Sequence, residues 1–131
     1  MVHVDGGARG NPGPAAVAAV VTSGSDGTVL AEEGRYIGEA TNNVAEYRAL
    51  LLGLELASGL GARSVEVVND SELVARQIGG QYKVKNPGLR PLWQEAMEAL
   101  RGFERWSVRN VPRAMNARAD ELVNQALDRE A

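Results

Sequence analysis

Apolar residues along this chain recur at two periods, two and about 3.6, and the switch between them marks out the elements. Met1–Asp5 is a short apolar stretch ending in an acid. Gly6–Pro14 follows with four glycines and two prolines, so the first strand is expected to stop at Asp5. Ala15–Thr22 is small and β-branched and reads as a buried strand. Ser23–Thr28 reads as a hairpin turn carried by Asp26-Gly27, and Val29–Ile37 as the return strand. Thr41-Asn42-Asn43 offers helix caps, and Asn43 and Glu46 stand at capping-box spacing. Tyr47, Leu50, Leu51, Leu54 and Ala57 then recur at helical spacing until Gly59 and Gly61 end the helix. Ser64–Val68 reads as a compact strand, and Asp70-Ser71 caps a short helix that runs to Gln77. Asn86-Pro87 is expected to begin a third helix, with Leu92, Ala96, Ala99 and Leu100 on its apolar face. Trp106–Val111 reads as a strand, and Asn116 as the cap of a last helix holding Leu122, Val123, Ala126 and Leu127. The order β-β-β-α-β-α-α-β-α predicts an α/β fold in which helices cover a mixed sheet.

At 131 residues, the chain suits one domain spanning residues 1–131, and 44% hydrophobic with 24% charged residues is ordinary globular composition. There is no cysteine, which excludes disulfides, zinc ribbons and thiol nucleophiles and fits a reducing cytoplasm. The single histidine, His3, cannot build a multi-histidine metal site. No apolar run approaches the roughly 20 residues of a membrane span, so the expected setting is cytoplasmic, with no membrane partner. The net charge of -3 means that any nucleic-acid binding must come from local patches.

The acids fall in one register. Asp5 closes the first strand and Asp70 follows the fourth, while Glu46 and Asp120 lie in the first turns of the first and last helices. If strands one and four are neighbours, Asp5 and Asp70 sit side by side at one sheet edge, and the two helix starts can deliver Glu46 and Asp120 to the same place. Helix N-termini favour negative charge. Four carboxylates crowded together would repel and take up protons unless hard cations neutralise them. An all-oxygen ligand set suits Mg²⁺ or Mn²⁺. Two such ions about 4 Å apart can activate a water and stabilise the leaving oxygen of a phosphodiester, with no protein nucleophile needed.

The segments Asp5-Gly-Gly-Ala-Arg-Gly-Asn-Pro-Gly-Pro, Thr41-Asn-Asn-Val-Ala-Glu46, Asp70-Ser-Glu-Leu-Val and Asn116-Ala-Arg-Ala-Asp120 resemble type 1 ribonuclease H, in order, from Val2 to about Leu127. Each motif is weak alone; four in order are specific. The resemblance implies a five-stranded sheet in the order 3-2-1-4-5. It implies endonucleolytic hydrolysis of the RNA strand of RNA/DNA hybrids by a two-metal-ion mechanism, leaving 5′-phosphate and 3′-hydroxyl ends. The catalytic and metal-binding acids would be Asp5, Glu46, Asp70 and Asp120, holding two Mg²⁺ ions with Mn²⁺ as substitute. The resemblance also implies hybrid contacts from Gly6, Gly7, Ala8 and Asn11 along the RNA minor groove, from Thr41, Asn42 and Asn43 on the DNA strand's phosphate and the minor groove, and from Ser71 and Glu72. Glycine lets backbone approach a 2′-hydroxyl, the group that marks RNA. The chain would work as a monomer or as part of a larger polypeptide.

Two departures qualify the resemblance. Many members carry a histidine shortly before the last acid; here Val111-Pro112-Arg113-Ala114-Met115-Asn116 has none, and Arg113 is the stand-in, able to hold phosphate but not to shuttle protons near neutral pH. Some members also carry a basic, tryptophan-bearing protrusion; here Gln81–Pro87 is short, and Lys83, Lys85 and Arg90 are its modest equivalent. The chain therefore resembles the subgroup lacking both features, with weaker and more salt-sensitive hybrid binding expected.

Taken singly, each acid has a plain structural reading: a strand-ending turn at Asp5, a capping box at Glu46, a helix start at Asp70, a helix-dipole acid at Asp120. Order and spacing together favour the site. Glu32, Glu33, Glu66, Glu95, Glu98 and Asp128 read as solvated surface, His3 as structural, and Trp93 and Trp106 as core or partly buried packing. Two rivals are a nuclease acting on DNA junctions or ends, and a module that holds hybrid or duplex RNA without cutting it. The glycine-rich turn with Thr41-Asn42-Asn43 argues against the first, and four intact acids against the second.

Overall fold

The computed structural model describes residues 1–130. The elements follow the expected order: β1 Val2–Ala8, β2 Gly13–Thr22, β3 Val29–Ala40, α1 Asn42–Gly59, β4 Ser64–Asn69, α2 Glu72–Ile78, α3 Arg90–Arg101, β5 Arg105–Asn110 and α4 Ala117–Glu130, with a 3-10 turn over Arg113–Asn116 leading into α4. The sheet order is β3-β2-β1-β4-β5. The first three strands pair antiparallel, β4 runs parallel to β1, and β5 parallel to β4. No helix among the described residues is long and apolar enough to cross a membrane.

Strand β2 shows how the two faces are built. Ala15, Val17, Ala19 and Val21 point into the larger core with α1, while Ala16, Ala18 and Val20 meet Ala119, Leu122, Val123, Ala126 and Leu127 of α4. Both faces are covered, so the strand reads as an unbroken apolar run. Its small side chains let the helices approach closely. The same closeness is written into Gly53 of α1, where a Cβ would lie 2.6 Å from Val4 Cγ1 and 2.7 Å from Val2 Cγ1. Under the sheet, Tyr47, Leu50 and Leu54 of α1 join Leu100 of α3 and Val67 of β4, all essentially inaccessible to water.

The structure departs from the sequence expectations at five places. Strand β1 does not end at Asp5; Gly6, Gly7 and Ala8 pair on with Val17, Ala16 and Ala15. Gly6 serves close backbone approach rather than a turn: a Cβ there would collide with the carbonyl of Ala45 and the amide of Glu46 in α1. Strand β3 continues to Ala40, past a register shift opposite Ala15/Ala16 and through Gly38 at φ +80°. The Asn43–Glu46 capping box does not form. Thr41 is the N-cap, its Oγ1 accepting from Val44 N at 3.2 Å, and Glu46 is turned toward Gly6 instead. Helix α3 starts at Arg90, because Asn86 Oδ1 takes the Gly88 amide at 2.7 Å and holds one separate turn first. Trp106 is 36% exposed, since β5 is an edge strand with little packed over it.

The hairpin turn behaves as read. Gly27 sits at φ +75°, and Asp26 Oδ1 accepts from Thr28 N at 3.0 Å. Gly61 closes α1 at φ +78°, a left-handed position that glycine adopts without strain.

Candidate functional site

Strands β1 and β4 run parallel side by side, and their paired register ends at His3 with Val68. Just beyond that point stand Asp5, in the middle of β1 where it parts from β4, and Asp70, the residue that follows β4. Helix α1 packs on β1 so closely at Gly6 that Glu46, in its second turn, reaches across the strand. One carboxylate oxygen of Asp5, of Glu46 and of Asp70 all lie within 4.8 Å of one another. Asp5 and Glu46 are buried and Asp70 is half-buried. Asp120, in the first turn of α4, enters the same cavity from the other face of the sheet.

Each neighbour of this cluster is held by a local device. Glu46 Oε1 accepts the Gly6 amide at 2.8 Å. Asn69 Oδ1 accepts the Ser71 amide at 3.0 Å, and Ser71 Oγ accepts from Val74 N at 3.3 Å, so α2 begins directly beside Asp70. Asn42 joins the turn after β1 to the start of α1: its Oδ1 accepts from Ala8 N at 2.9 Å, and its own amide donates to Asn11 Oδ1 at 3.1 Å. Arg113 lies across the open side, with Nε 3.7 Å from Asp70 Oδ2 and an Nη 3.5 Å from Asp120 Oδ1.

Crowding of carboxylates in a dry site sets the electrostatics. Burial first, then the charges of Glu46, Asp70 and Asp120, push the Asp5 carboxyl up to about 9. Burial likewise raises Glu46 to about 8, with the Gly6 amide partly opposing it. His3 titrates below its ordinary value, mainly through burial and then the N-terminal ammonium, with Asn116 opposing. A cluster of carboxylates that would rather be protonated is a strong site for a hard divalent cation, which replaces the protons and relieves the repulsion.

Of the residues singled out in the sequence, Asp5, Glu46, Asp70, Asp120, Gly6, Gly7, Ala8, Asn42, Asn43, Ser71 and Arg113 share one open cavity of about 410 Å³. Three others lie outside its lining. Asn11 buttresses Asn42, Thr41 caps α1, and Glu72 is an exposed side chain that accepts from Arg76 Nε at 2.7 Å. Sequence reasoning did not single out Arg9, which lines the cavity and pairs with Asp128 at 2.6 Å, or Asn124, one helical turn beyond Asp120. Arg9 stands inside the glycine-rich segment that follows Asp5, and the helical repeat from Asp120 points to Asn124.

A family model described as reverse transcriptase-like matches residues 3–126. The chain is 51% identical over 126 residues to a protein named ribonuclease HI from Halobacterium salinarum, covering 96% of this chain and 63% of that protein. It is 49% identical over 128 residues to the bifunctional protein Rv2228c of Mycobacterium tuberculosis, covering 98% of this chain and 35% of that one. The chain thus spans less than two thirds of the length of these relatives. The crystal structure of RNase H1 from Halobacterium salinarum superposes with a TM-score of 0.94 at 50% identity, over 97% of this chain and 96% of that chain. The structure of LC11-RNase H1 in complex with an RNA/DNA hybrid superposes with a TM-score of 0.93 at 45% identity, over 98% and 96% of the two chains.

Proposed function

The chain belongs to the ribonuclease H family, and from that premise we propose that it is a divalent-metal-dependent endoribonuclease that cuts the RNA strand of RNA/DNA hybrids. The observation that carries this reading is the convergence of Asp5, Glu46 and Asp70 within 4.8 Å, in a cavity also lined by the Gly6–Ala8 backbone and by Asn42 and Asn43. Relatives named ribonuclease HI and a neighbour solved with a hybrid support it. In this reading residues 1–131 form a single ribonuclease H domain, acting in the cytoplasm as a monomer or within a longer polypeptide.

The donor set fits hard cations: carboxylate oxygens only, mutually close, with Asp5 and Glu46 held up in pKa first by burial and then by neighbouring carboxylates. Asp5 and Asp70 would flank two Mg²⁺ or Mn²⁺ ions, with Glu46 on one and Asp120 completing the other. Such ions, when bound, lower the pKa of an attacking water and offset the charge that develops on the phosphodiester.

The chain's own groups do the rest. The Gly6 amide occupies one oxygen of Glu46 and thereby orients the carboxylate, leaving the other oxygen to position the attacking water. Backbone at Gly6, Gly7 and Ala8 can approach ribose 2′-hydroxyls because two of the three residues carry no side chain. Asn42 and Asn43, with Asn11 and Thr41 bracing the turn behind them, face the DNA strand's phosphates, and Ser71 adds a hydroxyl beside Asp70. Arg113 holds a phosphate by charge and by its fork of donors, and its fixed protonation keeps it out of proton transfer. Lys83, Lys85 and Arg90 extend the positive surface along the duplex. In-line attack of water on phosphorus opposite the 3′-oxygen forms the new P–O bond as the P–O3′ bond breaks, and the released 3′-oxygen takes up a proton, leaving 5′-phosphate and 3′-hydroxyl ends.

The test uses end-labelled RNA/DNA hybrid, matched double-stranded RNA and matched double-stranded DNA, each with Mg²⁺, Mn²⁺ or EDTA. Metal-dependent cutting confined to the RNA of the hybrid, and lost in Asp70→Asn, is the expected result. Retention of hybrid without cutting under every metal would overturn the nuclease reading in favour of a binding module.

A further inference from the structure

We propose that Asn116 is a positioning residue that sets where Asp120 and Arg113 stand relative to Asp5; the inference rests on the nuclease reading above for its consequence, though not for its geometry. Asn116 ends the 3-10 turn that begins at Arg113, and it lies four residues before Asp120, on the same side of the helix that follows. It is 2% exposed. Its Nδ2 donates to the carbonyl of Val4 at 2.7 Å, across 112 residues of sequence, and Val4 is the residue immediately before Asp5. The parallel pairing of β1 with β4 ends at His3, so Asn116 supplies a bond to β1 at the point where the two strands part to open the site.

The other end of the amide points the same way. Asn116 Oδ1 is buried and, among the described residues, makes no hydrogen bond of normal geometry, with the half-buried His3 ring beside it. A polar side chain in a core with half its capacity unused costs stability that an apolar residue of the same size would avoid. The bond from Nδ2 to Val4 is the return on that cost. Besides this bond, the start of α4 is held by the exposed Arg118–Glu32 ion pair to β3 and by contacts of small and aliphatic side chains with β2, and neither reaches β1 beside Asp5. A helix with its side chains has a radius of about 6 Å, so a rotation of about 20° carries the Asp120 carboxylate about 2 Å. Misplacement on the order of 1 Å can cost about 100-fold in rate. Asn116 touches no substrate and no reacting atom, and it acts through Asp120 and Arg113.

The test compares wild type with Asn116→Ala and with Asn116→Leu, which keeps the side chain's size while removing the donor. Leu100→Ala in the distant core serves as a control for lost stability. Four readouts are taken: melting temperature, backbone amide shifts of Asp120 and Arg113 by NMR, Mn²⁺ affinity by calorimetry without nucleic acid, and KM against kcat on hybrid. Both Asn116 variants are expected to move the Asp120 and Arg113 amide shifts, to weaken Mn²⁺ binding and to lower kcat about 10- to 100-fold, with KM for hybrid within about twofold of wild type. Leu100→Ala is expected to lose melting temperature with none of these changes. If wild type cuts no hybrid, the nuclease reading fails, while the amide shifts and Mn²⁺ affinity still decide the role of Asn116. If the Asn116 variants melt early but keep wild-type shifts at Asp120 and wild-type Mn²⁺ affinity, the residue is only structural and the proposal is overturned. Should Asn116→Ala fail to fold, Asn116→Leu carries the same comparison.

Discussion

Replacing Asp5 by asparagine is expected to make the metal-free protein more stable, the opposite of what most core substitutions do. Two ionised carboxylates 4.8 Å apart repel by about 3 kcal/mol at an effective dielectric of about 20. The folded protein escapes by keeping a proton on Asp5, whose carboxyl is pushed from 3.8 up to about 9. Holding that proton costs about 1.4 kcal/mol for each pH unit above 3.8, or about 4 kcal/mol at pH 7. A buried asparagine needs no such proton and keeps a desolvation cost of about 1–2 kcal/mol, so the net gain at pH 7 is about 2 kcal/mol. For 131 residues that corresponds to about 6 °C in melting temperature. The sign in pH follows from the raised pKa. Between 3.8 and about 9 the folded state binds more protons than the unfolded, so wild-type stability falls as pH rises through this window. The advantage of Asp5→Asn is therefore absent near pH 4 and grows toward pH 9. Thermal melts in EDTA at pH 4, 6, 8 and 9 measure it, and saturating Mg²⁺ is expected to raise wild type but not the variant. A variant less stable than wild type at pH 8 in EDTA, or one whose advantage does not change with pH, would refute the reasoning.

Other expectations follow from single interactions. Gly6→Ala places a Cβ against the Ala45 carbonyl, a backbone group that cannot turn aside; urea denaturation should show a loss of about 2–3 kcal/mol, and cleavage should fall with it as Glu46 is pushed off its Gly6 amide. Tyr47→Phe removes the donor to Gln77 Oε1 at 2.5 Å and leaves that oxygen buried without a partner; a loss of about 1–3 kcal/mol by urea denaturation is expected, with the cleavage rate per folded molecule unchanged. Replacing Lys83 and Lys85 together by alanine should weaken hybrid binding and reduce the slope of log affinity against log salt by about one for each phosphate that the protein no longer neutralises, as fluorescence anisotropy would read it.

The acids were legible in the sequence because their positions are local statements: Asp5 stands where the apolar run of β1 gives way to glycines, Asp70 directly after β4, and Glu46 and Asp120 near helix starts. Once β1 and β4 are neighbours, those positions converge without further information. The details that escaped are tertiary. Gly6 and Gly7 look like turn residues, yet both pair with β2 as strand residues, and at Gly6 the closeness of α1 leaves no room for a side chain. Glu46 has capping-box spacing, yet the Gly6 amide, 40 residues away, claims its carboxylate. Asn116 looks like a cap, and its amide bonds a carbonyl 112 residues earlier. Trp106 has the size of a core residue and lies on an edge strand that no helix seals. In each case local propensity named the residue's commonest use, and packing between distant segments assigned another.

In the proposed function, Asp5, Glu46 and Asp70, gathered where β1 and β4 part, hold divalent cations. Crystals of the wild-type protein soaked in Mn²⁺ are expected to give an anomalous diffraction peak within coordination distance of carboxylate oxygens of these three residues, with Arg113 displaced from Asp70. A soaked crystal with no peak there, and with Arg113 still lying between Asp70 and Asp120, would contradict it.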